Sequence, residues 1–309
     1  MEYSINDLFA GRYRLLRKCG KGSFGQVWLA RDEQIDLEVA VKIYIALDSR
    51  GIEDFKSEFK STYDLNHPSL LHATYFDVYQ DRPYLVMPFC PSSSLSLLGQ
   101  IEEEQLWKFI HDVSSGLVYL HEHDVIHRDI KPDNILMDGN GGFLISDFGI
   151  STKIRSTLLR NSTRDKNSNS SGGSLPYMGP ELFSGHPEPV KATDIWAFGA
   201  TLYELITGEL PFMGHGGVMQ LNGAAVPDLD GVDPIIASLV QACMSKDPWD
   251  RPTAAQISEY TEARLRGESP RCPWAQHAGS RKSPESEKKR VVNRGREEDG
   301  IGSWCCGYG

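Results

Sequence analysis

The chain has 309 residues, 40% of them hydrophobic, and a formal net charge of −10. That length and apolar content support one large domain or two lobes with real cores, and exclude a disordered chain. The acidic balance excludes a general nucleic-acid binder, because neutralising phosphates calls for an excess of Lys and Arg.

Along the first part of the chain, "YRLLRKC", "QVWLARDE" and "EVAVKIYIAL" carry branched and aromatic residues broken by Gly and Asp turns, which predicts strands. One helix interrupts them in "IEDFKSEFKSTYDL", where Ile52, Phe55, Phe59 and Tyr63 recur at spacings of three and four. After "PYLVMPFCP" the pattern changes to long helices: "EEQLWKFIHDVSSGLVYLHEH", "ATDIWAFGATLYELITG" and "PIIASLVQACMS". The expected organisation is an N-terminal extension at 1–10, a domain at 11–265 and a tail at 266–309. The domain divides into a small β lobe (11–87), a connector (88–91) and a helical lobe (92–265). The tail is polar and locally basic, with seven Lys or Arg against two Glu between Arg281 and Arg296. Such a composition predicts a flexible, solvated segment, with contact to a membrane surface or an acidic partner as the alternative.

Six cysteines at 19, 90, 243, 272, 305 and 306 form no CxxC pair and have no His cluster beside them, the usage of a reducing compartment. The start "MEYSINDLFAGRYRLL" has no basic stretch followed by an apolar one. No run reaches the ~18 apolar residues of a membrane span. The expectation is a soluble, cytoplasmic chain with no transmembrane segment. The adjacent Cys305 and Cys306 in "SWCCGYG" do not make a prenylation box, and lipid attachment there is the lesser alternative.

Three motifs carry chemistry. "GKGSFGQV" sets Gly20, Gly22 and Gly25 between two predicted strands. The dinucleotide fingerprint of the same spacing needs a helix next, whereas a strand follows here, the context of a glycine-rich flap over phosphates. "VAVK" then places Lys42 on the next strand and Glu58 on the helix after it. An inward ammonium needs an anion, and a phosphate together with Glu58 would supply two. "HRDIKPDN", His127 to Asn134, packs an imidazole, a guanidinium, two carboxylates, an ammonium and an amide between apolar flanks. Burying these groups costs several kcal/mol unless they are paired or face a ligand.

With "DFG" at Asp147 to Gly149, "GPE" at Gly179 to Glu181 and "DIWAFG" at Asp194 to Gly199, the chain resembles the eukaryotic-type serine/threonine protein kinase family over residues 11 to 265. The resemblance implies an α+β, bilobal fold: a small β-rich N-lobe with one key helix and a larger helical C-lobe. It implies ATP and Mg²⁺, with Mn²⁺ as the alternative ion, and protein substrates offering Ser or Thr. Asp129 would accept the substrate hydroxyl's proton, Lys131 would neutralise the migrating phosphoryl group, and Lys42 paired with Glu58 would anchor phosphates. Asn134 and Asp147 would hold the metal. The flap residues Gly20, Lys21, Gly22, Ser23, Phe24 and Gly25 would cover the nucleotide. Val27, Ala40 and Leu136 would sandwich adenine, with Met87 at the back and Pro88 and Cys90 in the hinge. Pro88 stands where an acidic residue is common, but that position offers only its carbonyl, which proline keeps.

Further expectations come from the same resemblance. Ser174 would contact both Asp129 and Lys131, and Glu181 would pair with Arg251. Asp194 would accept backbone N–H groups of the catalytic loop, while Trp196 and Phe198 are core. Gly179 replaces an alanine and should loosen its turn. Cys19 and Cys243 are expected to be small buried apolar groups. Thr62, with Ala73 above it, leaves the stack over Phe148 underfilled, so the helix bearing Glu58 is expected to be loosely held. The segment from Ser151 to Ser174, rich in Ser and Thr and preceded by Arg128 in the catalytic loop, is expected to be a phosphorylation switch, with Thr163 and Ser170 as candidate sites. Transient self-association would serve phosphorylation in trans. A pseudokinase scaffold and a small-molecule phosphotransferase are the alternatives. The first is disfavoured by the complete set of Lys42, Asp129 and Asp147, the second by the "GPE", "DIWAFG" and Arg251 elements.

Overall fold

The computed structural model describes residues 3–22, 25–148, 174–183 and 189–274. Its first lobe is one antiparallel sheet of six strands, ordered β1-β2-β3-β4-β6-β5. They are β1 (Leu8–Phe9), β2 (Tyr13–Gly22), β3 (Gly25–Asp32), β4 (Leu37–Tyr44), β5 (Tyr75–Tyr79) and β6 (Arg82–Pro88). One face buries Phe9, Tyr13, Leu15, Trp28, Val41 and Tyr84 as a core of its own. The expected extension at 1–10 contributes β1 to this sheet, and Tyr3 packs against it. Phe9 is 1% exposed and meets the rings of Tyr3, Tyr79 and Tyr84 edge-on at 5.0–5.2 Å.

Helix α1 (Ser49–Thr62) begins where Asp48 accepts the Gly51 N–H at 2.7 Å, a side-chain cap that satisfies one orphan donor of the first turn. Its apolar face meets the sheet through rings. Phe55 packs edge-on against Tyr44 at 4.7 Å, and Phe76 of β5 stacks on both Phe55 (5.7 Å) and Phe59 (4.9 Å). The expectation of a loosely held helix rested on Thr62 and Ala73. This aromatic column is an anchorage that it did not weigh.

The second lobe is built on α2 (Glu103–Glu122), α3 (Lys191–Thr207), α4 (Val218–Leu221), α5 (Pro234–Cys243) and α6 (Ala254–Leu265). Trp196, Phe198, Phe109, Ile110, Leu117 and Leu239 are fully buried in their common core. A small sheet of β7 (Ser92–Ser93), β8 (Ile135–Met137) and β9 (Phe143–Ile145) lies on the side facing the first lobe, where Leu71 N–H donates to the Ile145 carbonyl at 2.9 Å. Packed structure continues past residue 265. Trp274 is 2% exposed, meets Tyr260 edge-on at 4.8 Å and donates to the Ile235 carbonyl at 3.3 Å. Among the described residues no helix is long and apolar enough to cross a membrane.

Candidate active site

A cleft of about 360 Å³ lies between the lobes. It gathers Gly20, Val27, Ala40, Lys42, Met87, Pro88, Cys90, Asn134, Leu136 and Asp147 from segments far apart in sequence. All ten belong to the set read from the sequence. Its apolar part is one packed cluster in which Ala40, Leu71 and Met87 are buried and Val27, Cys90 and Leu136 half-buried. Strand register explains the grouping, since Ala40 pairs with Met87, Lys42 with Val27, and Val39 with Pro88. Side chains alternate across a strand, so Ala40 and Lys42 present themselves to the same face. Burial pushes the Cys90 thiol up to about 11, which keeps it protonated and inert at neutral pH.

The strands leading to the flap pair as far as Gly22 and Gly25, with register shifts between Leu15 and Arg17 and between Lys18 and Gly20. Gly25 requires glycine: its φ is +157°, and a Cβ there would stand 2.1 Å from the Ile43 carbonyl oxygen. Gly20 does not, because a Cβ there would meet nothing within 4 Å. Its missing side chain instead leaves backbone open to a ligand in the cleft. Ser23, Phe24 and the side chains of Lys21 and Glu58 lie outside the described residues. So does the switch segment as far as residue 173, with the candidate sites Thr163 and Ser170.

Deep in the cleft, Lys42 Nζ meets Asp147 Oδ1 at 2.5 Å. Burial pushes the lysine down, but the Asp147 carboxylate outweighs it and holds the ammonium above its ordinary value. Burial likewise pushes Asp147 up, and Lys42 outweighs it to hold the carboxyl below its ordinary value. Both groups are therefore charged at neutral pH. Asp147 sits at φ 62° and Arg128 at φ 68°, left-handed conformations that non-glycine residues adopt only where neighbours enforce them. For Arg128 the enforcing group is Asp194, which is fully buried and accepts the backbone N–H of His127 (2.9 Å) and of Arg128 (2.8 Å), as expected.

Beside the cleft, the Asp129 carboxylate is the centre of a group. Ser174 Oγ donates to its Oδ1 at 2.7 Å, Lys131 Nζ lies 3.1 and 3.2 Å from its two oxygens, and Asn134 Nδ2 donates to Oδ2 at 3.0 Å and to the Asp129 carbonyl at 2.7 Å. Lys131 also donates to Ser174 Oγ at 3.3 Å. The expected double contact of Ser174 is thus present. Because Asn134 directs its amide N–H groups at Asp129, its Oδ1 is the atom left for a cation, and with the Asp147 carboxylate it makes a pair of hard oxygen donors. Among the described residues no group of three or more His, Cys, Asp or Glu exists that could hold a metal. Two oxygen donors fit an ion that keeps its waters or shares phosphate oxygens, as Mg²⁺ does.

His127, 2% exposed, accepts the Asp129 N–H through Nδ1 at 3.2 Å and donates from Nε2 to the Ser146 carbonyl at 2.8 Å. It therefore locks the loop bearing Asp129 to the residue before Asp147, a role that sequence reading did not assign. Arg17 and Cys19 line the cleft entrance and were also missed, with the Arg17 guanidinium 5.9 Å from the Phe89 ring centroid. Cys19 is exposed rather than buried, because the bulge between Lys18 and Gly20 turns the strand end away from the core. Cys243 is fully buried, as expected.

Glu181 and Arg251 form the expected buried bridge in a two-pronged geometry, Nη1 to Oε1 at 2.8 Å and Nη2 to Oε2 at 2.7 Å. Gly179 lies against this bridge, where a Cβ would stand 2.6 Å from Glu181 Oε2.

A family model described as the protein kinase domain matches residues 13–261. The chain is 32% identical over 269 residues to the serine/threonine-protein kinase PrkC of Bacillus subtilis, covering 82% of this chain and 40% of that protein. It is 30% identical over 285 residues to the Aurora/IPL1-related protein kinase 2 of Caenorhabditis elegans, covering 86% and 88%. It is 31% identical over 264 residues to the serine/threonine-protein kinase SSK22 of Saccharomyces cerevisiae, covering 77% and 20%. The chain therefore spans two-fifths of the length of PrkC and one-fifth of that of SSK22.

Proposed function

The chain belongs to the protein kinase family, and from that premise we propose that it transfers the γ-phosphoryl group of ATP to Ser and Thr hydroxyls of protein substrates. The observation that carries this is the joining of Asp129, Lys131, Asn134 and Ser174 in one hydrogen-bonded group beside a cleft that contains the Lys42–Asp147 pair.

Asp129 orients the acceptor hydroxyl and takes its proton, held in place by Ser174 and Asn134. Lys131, within 3.3 Å of both Asp129 and Ser174, supplies positive charge where the phosphoryl group passes. Lys42 offers its ammonium to the nucleotide's phosphates, and Asn134 and Asp147 offer oxygens to Mg²⁺ or Mn²⁺. The ion, when bound, would neutralise phosphate charge that builds during transfer. The apolar cluster of Val27, Ala40, Met87 and Leu136 takes the base, with the Pro88 carbonyl and the Cys90 N–H as its hydrogen-bonding edge. Glu58 is the second partner of Lys42.

Regulation by phosphorylation within residues 151–174, in trans through transient self-association, belongs to the same proposal, with Arg128 as the phosphate ligand. The dispersed cysteines support a cytoplasmic setting. The test is incubation of the purified chain with γ-labelled ATP, Mg²⁺ and a generic basic protein, followed by phosphoamino-acid analysis and mass-spectrometric mapping. Label on Ser or Thr of the protein supports the proposal. Nucleotide binding without transfer favours a scaffold, and label only on small molecules favours the other phosphotransferase class. Phosphate absent from 151–174, or present there without effect on activity, removes the switch alone.

A further inference from the structure

We propose that Tyr44 is a positioning residue for Lys42, holding its ammonium against the tyrosine ring and keying it to the glycine-rich hairpin and to helix α1. This rests on the proposal that Lys42 anchors the nucleotide's phosphates.

Tyr44 ends β4, two residues after Lys42, and so shares its face of the strand. It is 0% exposed. Three elements meet at this side chain. Lys42 Nζ lies 5.4 Å from its ring centroid, within the range of a cation–π contact. Phe55 of α1 packs edge-on against the ring at 4.7 Å. On the backbone, Tyr44 is the register partner of Gly25, and a Cβ on Gly25 would lie 2.8 Å from the Tyr44 Cα, so the hairpin seats directly on this residue. Lys42 is thereby tied to the hairpin through backbone pairing and to α1 through two rings.

The arrangement also answers a difficulty in the site. Lys42 and Asp147 neutralise each other at 2.5 Å, yet the proposed roles send one to phosphate and the other to a cation. When that pair opens, Asp147 ceases to define where Lys42 points. An uncharged partner fixed between hairpin and helix continues to do so, without competing with phosphate as a carboxylate would.

The experiment is a double-mutant cycle read by calorimetric affinity for MgADP, with Tyr44→Met and Tyr44→Phe each made in the native and the Lys42→Met backgrounds. Tyr44→Met should weaken binding five- to tenfold in the native background and less than twofold when Lys42 is absent. Tyr44→Phe, which keeps the ring, should recover most of the loss. Pentafluorophenylalanine at position 44 keeps the shape and reverses the ring's charge distribution, so it should reproduce the background-dependent loss and serves where the Met variant does not fold. Equal losses in both backgrounds, or none in either, would overturn the proposal by leaving Tyr44 a packing residue. Unchanged affinity in Lys42→Met alone would instead overturn the phosphate-anchor proposal beneath it.

Discussion

Replacing Glu181 by Gln isolates the charge of the bridge that ties the segment bearing Glu181 to the helical lobe. Arg251 is 0% exposed at its side chain and Glu181 15%, so neither charge can turn to water. In Glu181→Gln one amide oxygen still accepts from the guanidinium, but the amide N–H₂ faces a second donor and the arginine loses its anion. Breaking a buried pair on one side costs about 3–5 kcal/mol. Arg251 keeps the carbonyls of Ser245 at 2.9 Å and Ala192 at 2.8 Å, which sets the expectation at the lower end, about 3 kcal/mol. For a domain of this size that is a fall in Tm of roughly 6–12 °C. The pH dependence supplies a second readout. Burial pushes the Glu181 carboxyl up, but Arg251 outweighs it and the folded value lies below the ordinary 4.5. A carboxyl so depressed contributes stability that is fully present above its unfolded value and is lost as pH falls through its folded value. The gap between wild type and Glu181→Gln should therefore be constant from pH 7 to about 5 and close below about 4.5. Thermal melts by circular dichroism across that range decide it. A change under about 0.5 kcal/mol, or a gap independent of pH down to pH 3, would refute the reasoning.

Ser174→Ala should lower the rate of phosphoryl transfer ten- to a hundredfold, since it removes one hydrogen bond to a carboxylate worth about 1.5–3 kcal/mol, and Ser174→Thr should restore it; steady-state rates on a generic acceptor check both. Gly25→Ala should cost about 2 kcal/mol or more, because its Cβ collides with rigid β4 backbone; a wild-type melting curve would contradict this. Thr62→Leu should raise basal activity by adding apolar contact worth roughly 1 kcal/mol over Phe148, although the Thr62 hydroxyl bond to the Phe59 carbonyl at 3.2 Å is lost with it. Activity that stayed flat or fell at unchanged stability would show that the aromatic column already holds the helix.

Periodicity located α1, α2, α3 and α5 within about three residues, because their apolar faces repeat over about three turns or more, but it did not find α6. It predicted α2 at 103–123 against the observed Glu103–Glu122, and the helix bearing Glu58 at 52–65 against Ser49–Thr62. It could not find β1, whose two residues are too few to show alternation, nor the packing of Trp274, which is a lone aromatic in a polar stretch. In the site, the family resemblance named most of the residues that the cleft gathers, whereas their mutual restraints needed coordinates. Nothing in "HRDIKPDN" states that the His127 imidazole reaches Ser146, because that bond spans 19 residues and is made to a backbone carbonyl. Nor does "GPE" state that Gly179 lies against a carboxylate held from residue 251. Cys19 was misjudged because burial was assigned by residue type, while a register shift decided which way the strand end faces.

The central claim, that Asp129 organises phosphoryl transfer from ATP to a protein hydroxyl, is tested most directly by Asp129→Asn. An asparagine preserves the volume and one acceptor oxygen among Ser174, Lys131 and Asn134, but removes the negative charge that orients the hydroxyl and takes its proton. Lys42 and the Lys42–Asp147 pair are untouched. Transfer of labelled phosphate to Ser or Thr, measured alongside calorimetric affinity for MgADP, should fall by at least a hundredfold while affinity stays within about threefold of wild type. Transfer at the wild-type rate by the Asp129→Asn chain would contradict the account.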